Sequence, residues 1–498
     1  MGTMRFEIHP SVFPQGWTEY EDAYLSSFDG RVFETHVELE GHVLCCRRRV
    51  SESARLNVPW PVPGFGHPML ATATLCERDQ PYLLPVELAR GRIGQIRNQI
   101  AVWERAGMTI PQSIRAGLEK SQRLFTQSVS ASDSAAACRL ANEALEQALH
   151  VAKDLVVSYS EQRMAARRSR LPRLPASLGC GLGDQEPPSD WSPSFCKAFN
   201  AAIASCQWRD VEKTEGDYNW HLVDSQLEWC EQNRLMVVGG PLLDFSSEGL
   251  PAWLGEWAED FVNLQSFVSD FVETAVSRYI GRVRTWEVAS RVNTGGAHGL
   301  SEEDCITLLA RVLRVAQQVD EEAVLYVGLV QPWGEYLARG GHRFTPLDFA
   351  DALMRFGTGL AGINLEINVG YRNLGTPPRD LLDFSMLIDK WSALEVPLHV
   401  TLSFPGLRST DESDNLQDTA EFDVETNLWG NGWTEQAQAE WVDQIVPLLF
   451  AKQSVVGIFW THYSDSTARE FPRAGLIRDD GTPKPALTCF ARHHSMWK

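Results

Sequence analysis

From residue 174 onward one unit recurs: a short run of apolar, often β-branched residues, a break, then a stretch with apolar positions at i, i+3 and i+4. Eight such runs can be counted: "PASLGCGL" (175–182), "FNAAIASCQW" (199–208), "LMVVGGPLLDF" (235–245), "VRTWEVAS" (283–290), "AVLYVGLVQPW" (323–333), "GINLEINVG" (362–370), "PLHVTLSFPG" (397–406) and "VVGIFWTHYSD" (455–465). Between them lie amphipathic stretches such as "FVNLQSFVSDFVETAVSRYIG" and "SEEDCITLLARVLRVAQQV". Eightfold strand–helix alternation predicts an α/β fold, a (β/α)8 TIM barrel over 174–498. Chemistry is then expected at the C-terminal ends of the strands.

The chain ahead of the barrel has other periods. Residues 1–108 read as β-rich: "RVFETHVELEGHVLCCRRRV" alternates apolar and polar positions and breaks at "EG", and "HPMLATATLCE" and "YLLPVELARG" read as further strands. A small sandwich or jelly roll is expected there. Residues 109–173 read as a helical hairpin and linker. The hairpin is carried by "SIRAGLEKSQRLFTQ" and "SAAACRLANEALEQALHVAKDLVVSYSEQRMAARR", with an N-cap at Ser132, Asp133 or Ser134 between them. The basic run "RMAARRSRLPR" that follows reads as a solvated helix end beside the linker.

Charge narrows the partners. Lys+Arg 45 against Asp+Glu 65 gives a net charge of −20, which repels phosphate backbones and argues against nucleic acid. Neutral oligosaccharides or polysaccharides meet no such penalty, and 17 tryptophans supply flat faces for sugars or for cores. No apolar run approaches the ~18–20 residues of a membrane span. The N-terminus lacks a basic segment followed by an apolar one, and the ten cysteines show no CxxC spacing. Reduced thiols and a cytoplasmic location are expected, with no metal and no cofactor. "GCGLGD" (179–184) is not a dinucleotide site, because Asp184 replaces the third glycine and no helix opens there.

Several blocks of the barrel resemble one family. In the second, Trp208 precedes a run with Glu212, Gly216, Tyr218, Trp220 and Asp224. "VVGGPLLDFSSEGLPAWL" carries Pro251 and Trp253, "TWEVASRVN" is similar to "WDVVNEA", and "VVGIFWTHYSD" is followed by "AGLIRDDGTPKPAL". Together, over about 175–490, they resemble the family 10 glycoside hydrolases, retaining endo-β-1,4-xylanases. The resemblance implies a carbohydrate-metabolising barrel with two carboxylates roughly 5–5.5 Å apart. It also places Arg291 at the acid/base position, Ser290 at the asparagine before it, and Thr401-Leu402 where the nucleophile's "TE" belongs. Residues 396–408 contain no Asp or Glu, "IASCQW" stands for "ENEMKW", and Pro241 replaces a histidine. An arginine neither gives nor takes a proton at workable pH, so the usual retaining chemistry is not expected.

Other polar residues cluster at strand ends. Period two turns Asn364, Glu366 and Asn368 into the barrel and Ile363, Leu365 and Ile367 toward the helices, with Arg291 or Arg372 available to pair with Glu366. Glu366 with Glu335 or Asp465 is the candidate relocated catalytic pair; a separation of roughly 5–5.5 Å would suit retention and roughly 6.5–9.5 Å inversion. Trp333, Arg291, Asn368, Tyr371, His399, Trp460, His462 and Asp244 are the candidate substrate-binding residues. Glu287, four residues before Arg291 and so about 13 Å deeper at strand rise, reads as a buried structural carboxylate. Three functions stay open: a saccharide-binding pseudoenzyme, a divergent glycosidase with relocated carboxylates, and a non-catalytic interaction scaffold. The long amphipathic helices leave room for a homo-oligomer.

Overall fold

The computed structural model describes residues 2–170, 176–372, 374–407, 432–467 and 470–497. Residues 171–175, which include the end of the basic run and the expected linker, lie outside them.

All eight expected barrel strands form: Ser177–Gly181, Ala201–Ala204, Met236–Gly239 continuing as Leu243–Asp244, Thr285–Ser290, Val324–Val330, Leu360–Asn368, Leu398–Ser403 and Val455–Trp460. Each pairs in parallel with its neighbours, the eighth pairs with the first, and the third pairs with the fourth, so the sheet closes. The outer helices start where short polar side chains catch a free backbone N–H. Ser301 Oγ accepts from Asp304 N at 3.1 Å, Asp260 from Asn263 N at 3.1 Å and Asp380 from Asp383 N at 3.0 Å. On strand six, Ile363, Leu365 and Ile367 join the core under the helices while Asn364 and Glu366 face the barrel mouth.

Ahead of the barrel sit two small sheets, His36–Glu40/Val43–Arg48/Gly2–Glu7/Tyr82–Leu83 and Tyr24–Ser26/Arg55–Pro59/Met69–Ala71. Period two is plain in Gly2–Glu7, where Met4 and Phe6 are buried and Arg5 is exposed. Both sheets share one core with two helices. One of these helices corrects the sequence reading: only Tyr82–Leu83 of "YLLPVELARG" is strand, and Leu84–Arg105 is a helix of 22 residues. Pro85 is tolerated in its first turn, and Leu84, Leu88, Ile96, Ile100 and Trp103 recur at helical spacing on its buried face.

The helices Gln112–Val129 and Ser134–Arg168 follow, the second capped by Asp133, which accepts from Ala136 N at 2.9 Å. At 35 residues the second is about 50 Å long and spans two cores. Ala141, Leu145 and Leu149 pack with the N-terminal sheets, and Leu155, Val156 and Tyr159 pack with the barrel. Buried ion pairs fasten the same junction: Arg92 bonds Asp383 and Asp380, each at 3.2 Å, and Arg379 bonds Glu335 at 2.8 Å and the Tyr24 hydroxyl at 3.0 Å.

Candidate functional site

A cavity of about 270 Å³ opens at the C-terminal ends of the barrel strands, and Arg291 is part of its lining. This residue follows strand four directly and holds a left-handed φ of 58°, uncommon for a side chain with a Cβ. The turn is pinned by buried Asn293, which donates to Val330 O at 2.8 Å and accepts from Val330 N at 3.0 Å, tying the exit of strand four to the end of strand five. Backbone strain of about 1–3 kcal/mol persists only where surrounding contacts fix it, and these bonds do so.

The guanidinium is fully engaged. It forks onto Glu366, with Nε donating to Oε2 at 3.0 Å and Nη2 to Oε1 at 2.9 Å. Nη1 donates to Asp244 Oδ2 at 3.2 Å, Nη2 to Glu470 Oε2 at 2.8 Å, and Nη1 also to Glu470 Oε1. Five donated bonds use all five N–H groups. Burial alone would lower the Arg291 pKa, but the charges of Glu366, Asp244 and Glu470 outweigh it and raise the pKa well above the usual arginine value. The carboxylates are held in turn: Asn368 donates to Glu366 Oε1 at 2.8 Å and accepts from Ser403 Oγ at 2.7 Å, and Ser246 N donates to Asp244 Oδ1 at 2.9 Å.

Beneath this cluster lies Glu287. Thr401 Oγ1 donates to Asn364 Oδ1 at 2.9 Å, and Asn364 Nδ2 donates to Glu287 Oε1 at 3.1 Å. Burial raises the Glu287 carboxyl to about 7, with Glu366 adding to the rise and the Asn364 bond and Arg291 opposing it. Gly328 makes the room, since a Cβ there would lie 2.1 Å from Glu287 Oε1. His462 also lines the cavity; burial, then Arg291, lowers its pKa to about 4, so the imidazole is neutral.

Of the residues expected at the site, the cavity brings together Arg291, Glu366, Asp244 and His462, with Asn368 behind Glu366. The others lie elsewhere. Glu335 accepts from Thr376 Oγ1 at 2.5 Å and pairs with Arg379 against the N-terminal sheets. Trp333 is in the same junction, with the Arg379 guanidinium 4.5 Å from its ring centre. Asp465 is ion-paired at 2.8 Å with Lys484, whose ammonium also donates to the carbonyls of Gly406 and Arg473. Trp460 is fully buried among Trp441 and Phe490, its indole N–H donating to Ala474 O at 2.6 Å, and does not line the cavity. His399 stacks on Tyr326 at 3.8 Å, near the start of strand seven. Tyr371 is buried beside Phe471 and donates to Pro472 O at 2.9 Å.

Among the cavity residues outside the expected set, two carboxylates matter most for the arginine network and the floor beneath it. Glu470 sits in the loop after strand eight, where no periodicity assigns a direction. Glu287 was expected far below Arg291, but a register shift between Glu287 and Ala289 breaks the regular strand count, and its side chain reaches the cavity.

Among known families, the model for Glycosyl hydrolase family 10 matches residues 194–326. That part of the barrel is similar to the glycosyl hydrolase family 10 enzymes. Endo-1,4-beta-xylanase 3 of Hypocrea jecorina is 28% identical over 130 residues, 25% of this chain and 36% of that protein. Endo-1,4-beta-xylanase B of Thermotoga neapolitana is 21% identical over 201 residues, 39% of this chain and 54% of that protein. The chain thus spans about a third to a half of the length of these relatives. Xylanase 10B from Thermotoga petrophila RKU-1, solved in complex with xylobiose, aligns over 68% of this chain and 97% of its own at 16% identity, with a TM-score of 0.48.

Proposed function

We propose that this barrel, a divergent relative of the family 10 glycoside hydrolases, binds a β-linked oligosaccharide in its mouth cavity and does not hydrolyse it through a retaining carboxylate pair. The observation that carries this reading is Arg291, buried at the strand-four end with every donor taken by a carboxylate. A guanidinium cannot exchange a proton at workable pH. It also occupies both oxygens of Glu366, which a nucleophile would need free. Glu335 and Asp465 are committed to Arg379 and Lys484 away from the cavity.

One observation favours a hydrolytic reading instead: Glu287, at about 7, keeps a proton near neutrality, as a general acid must. A panel of aryl glycosides and β-1,4-oligosaccharides separates the two. Hydrolysis is assayed for the wild type, Glu366→Gln and Glu287→Gln, with calorimetry on the same sugars. Binding without turnover is the expected result. Turnover that disappears in either variant would refute the non-hydrolytic reading, and no binding across the panel would leave the interaction scaffold.

A further inference from the structure

Glu335, expected at the mouth from its place after strand five, is bonded instead at the junction with the N-terminal sheets, and its bonds lead back to the mouth. Thr376 Oγ1 donates to Glu335 Oε1 at 2.5 Å, and Arg379 Nη2 donates to the same oxygen at 2.8 Å. Arg379 Nη2 also donates to the Tyr24 hydroxyl at 3.0 Å, on the N-terminal strand Tyr24–Ser26. Tyr24, Thr376 and Arg379 are all buried, where a hydrogen bond is stronger than in water and a missing partner costs more.

Thr376 belongs to the loop that joins strand six to the helix Leu381–Trp391. Backbone groups that have left a sheet need other partners, and this loop finds them on two sides. Toward the mouth it folds back on the end of strand six. Thr376 N donates to Asn368 O at 2.9 Å, Gly370 N to Thr376 O at 3.0 Å, and Asn368 Nδ2 to Leu374 O at 3.1 Å. Gly375 permits so tight a turn, since a Cβ there would lie 1.8 Å from Tyr371 O. Toward the N-terminal sheets, Met69 N donates to Pro378 O at 2.8 Å, and Arg92 pairs with Asp380 at 3.2 Å.

Asn368 joins this loop to the arginine network, because its Nδ2 also donates at 2.8 Å to Glu366 Oε1, on the carboxylate that Arg291 forks onto. Direct bonds therefore run from Tyr24 through Arg379, Glu335, Thr376 and Asn368 to Glu366. Contiguous bonded groups of this kind can carry coupling between distant parts of a protein.

We propose that the N-terminal sheets are a working part of the mouth, with Tyr24, Arg379, Glu335 and Thr376 as positioning residues that set the strand-six loop and, through it, Asn368 and Glu366. The consequence for a ligand rests on the saccharide-binding reading above; the consequence for the loop does not.

The test is amide hydrogen exchange on the full chain, read by mass spectrometry, beside calorimetry with cellobiose, xylobiose and their longer β-1,4-linked oligomers. Thr376→Val removes one hydroxyl at nearly constant shape, and Tyr24→Phe removes the hydroxyl on the N-terminal side. Each is expected to speed exchange at least threefold in peptides that carry Gly370 and Thr376. Each should leave the helix His221–Gln232, which follows strand two on the far side of the barrel, at the wild-type rate. Thr376→Ser, which restores the hydroxyl, is expected to recover the protection lost in Thr376→Val. Affinity for the oligosaccharides should fall at least threefold in Thr376→Val and Tyr24→Phe. Unchanged exchange at Gly370 and Thr376, equal acceleration in the control helix, or no recovery in Thr376→Ser overturns the proposal. Faster loop exchange with wild-type affinity for a sugar that does bind overturns the positioning of Glu366 for a ligand. If none of the sugars binds the wild type, the saccharide reading fails and the exchange rates alone decide the positioning.

Discussion

Glu287→Gln removes a titration while keeping the shape of the side chain, so its effect can be worked through in advance. The carboxyl is raised from an ordinary 4.5 to about 7, chiefly by burial. Between those two values the folded protein holds a proton that the unfolded chain releases, so the wild type loses stability as pH climbs from about 4.5 to about 7 and loses no more above that. At 1.36 kcal/mol per unit, a shift of this size is worth about 3 kcal/mol. Glutamine stands in for the protonated acid, and its amide oxygen can still accept from Asn364. The variant is therefore expected to match the wild type near pH 4.5 and to exceed it by up to about 3 kcal/mol at pH 8.

The assay is urea unfolding at a series of pH values, read as the difference between the two proteins. That difference is needed because His462 and His399, lowered by burial from 6.5 to about 4 and about 3, act in the opposite direction. Each holds fewer protons folded than unfolded, so each takes stability away as pH falls below about 6.5. The histidines are common to both proteins and cancel in the subtraction. A variant no more stable than the wild type at pH 8, or a difference that does not change with pH, would show that Glu287 is ionised at neutrality and that the account of the cavity floor is wrong.

Arg291→Leu leaves Glu366 and Asp244, with side chains 8% and 2% exposed, buried without a counter-charge. A loss of roughly 3–5 kcal/mol is expected in the same unfolding assay, part of it recovered by adding Glu366→Gln; a loss under about 1 kcal/mol would mean the network is not holding the mouth together. Asp465→Asn strips the ion-pair partner from Lys484, whose side chain is 1% exposed, and is expected to cost roughly 3–5 kcal/mol. Calorimetry of that variant, while it remains folded, should show saccharide affinity unchanged, and a selective loss of binding would return Asp465 to the site.

The barrel was legible because strand and helix periods alternate eight times and closing the sheet hides every edge. Site residues at strand ends were legible for a related reason: period two tells inside from outside, which put Glu366 in the mouth and would equally have put Trp460, one residue beyond inward-facing Phe459, on the helix side. Depth along the strand was readable too, and His399, second in strand seven, lies below the residues that line the cavity. What strand arithmetic cannot supply is the direction of a chain once it leaves the sheet. After strand five, Gln331 at φ 49° and Gly334 at φ 86° turn the loop toward the N-terminal sheets, carrying Trp333 and Glu335 with it. Glu470 is the converse case, returning to the mouth from ten residues beyond strand eight. The helix at Leu84–Arg105 lies where "YLLPVELARG" reads as a short strand, although a proline near the start of such a run is a favoured helix opening.

Placing an arginine at the end of strand four changes more than one residue's chemistry. A buried guanidinium needs compensating charge, and a single carboxylate would leave three of its five donors unmet. Glu366 supplies two bonds, Asp244 one and Glu470 two, so satisfying the donors geometrically brings in three negative charges against one positive. Among the described residues, the network therefore sets three carboxylates around one guanidinium because hydrogen-bond geometry, not charge balance, decides how many partners the arginine takes. Glu366 and Asp244 add to the rise of Glu287 that burial begins. On the proposed reading, loss of the retaining chemistry and the raised carboxyl at the cavity floor both trace to what surrounds the saturated Arg291.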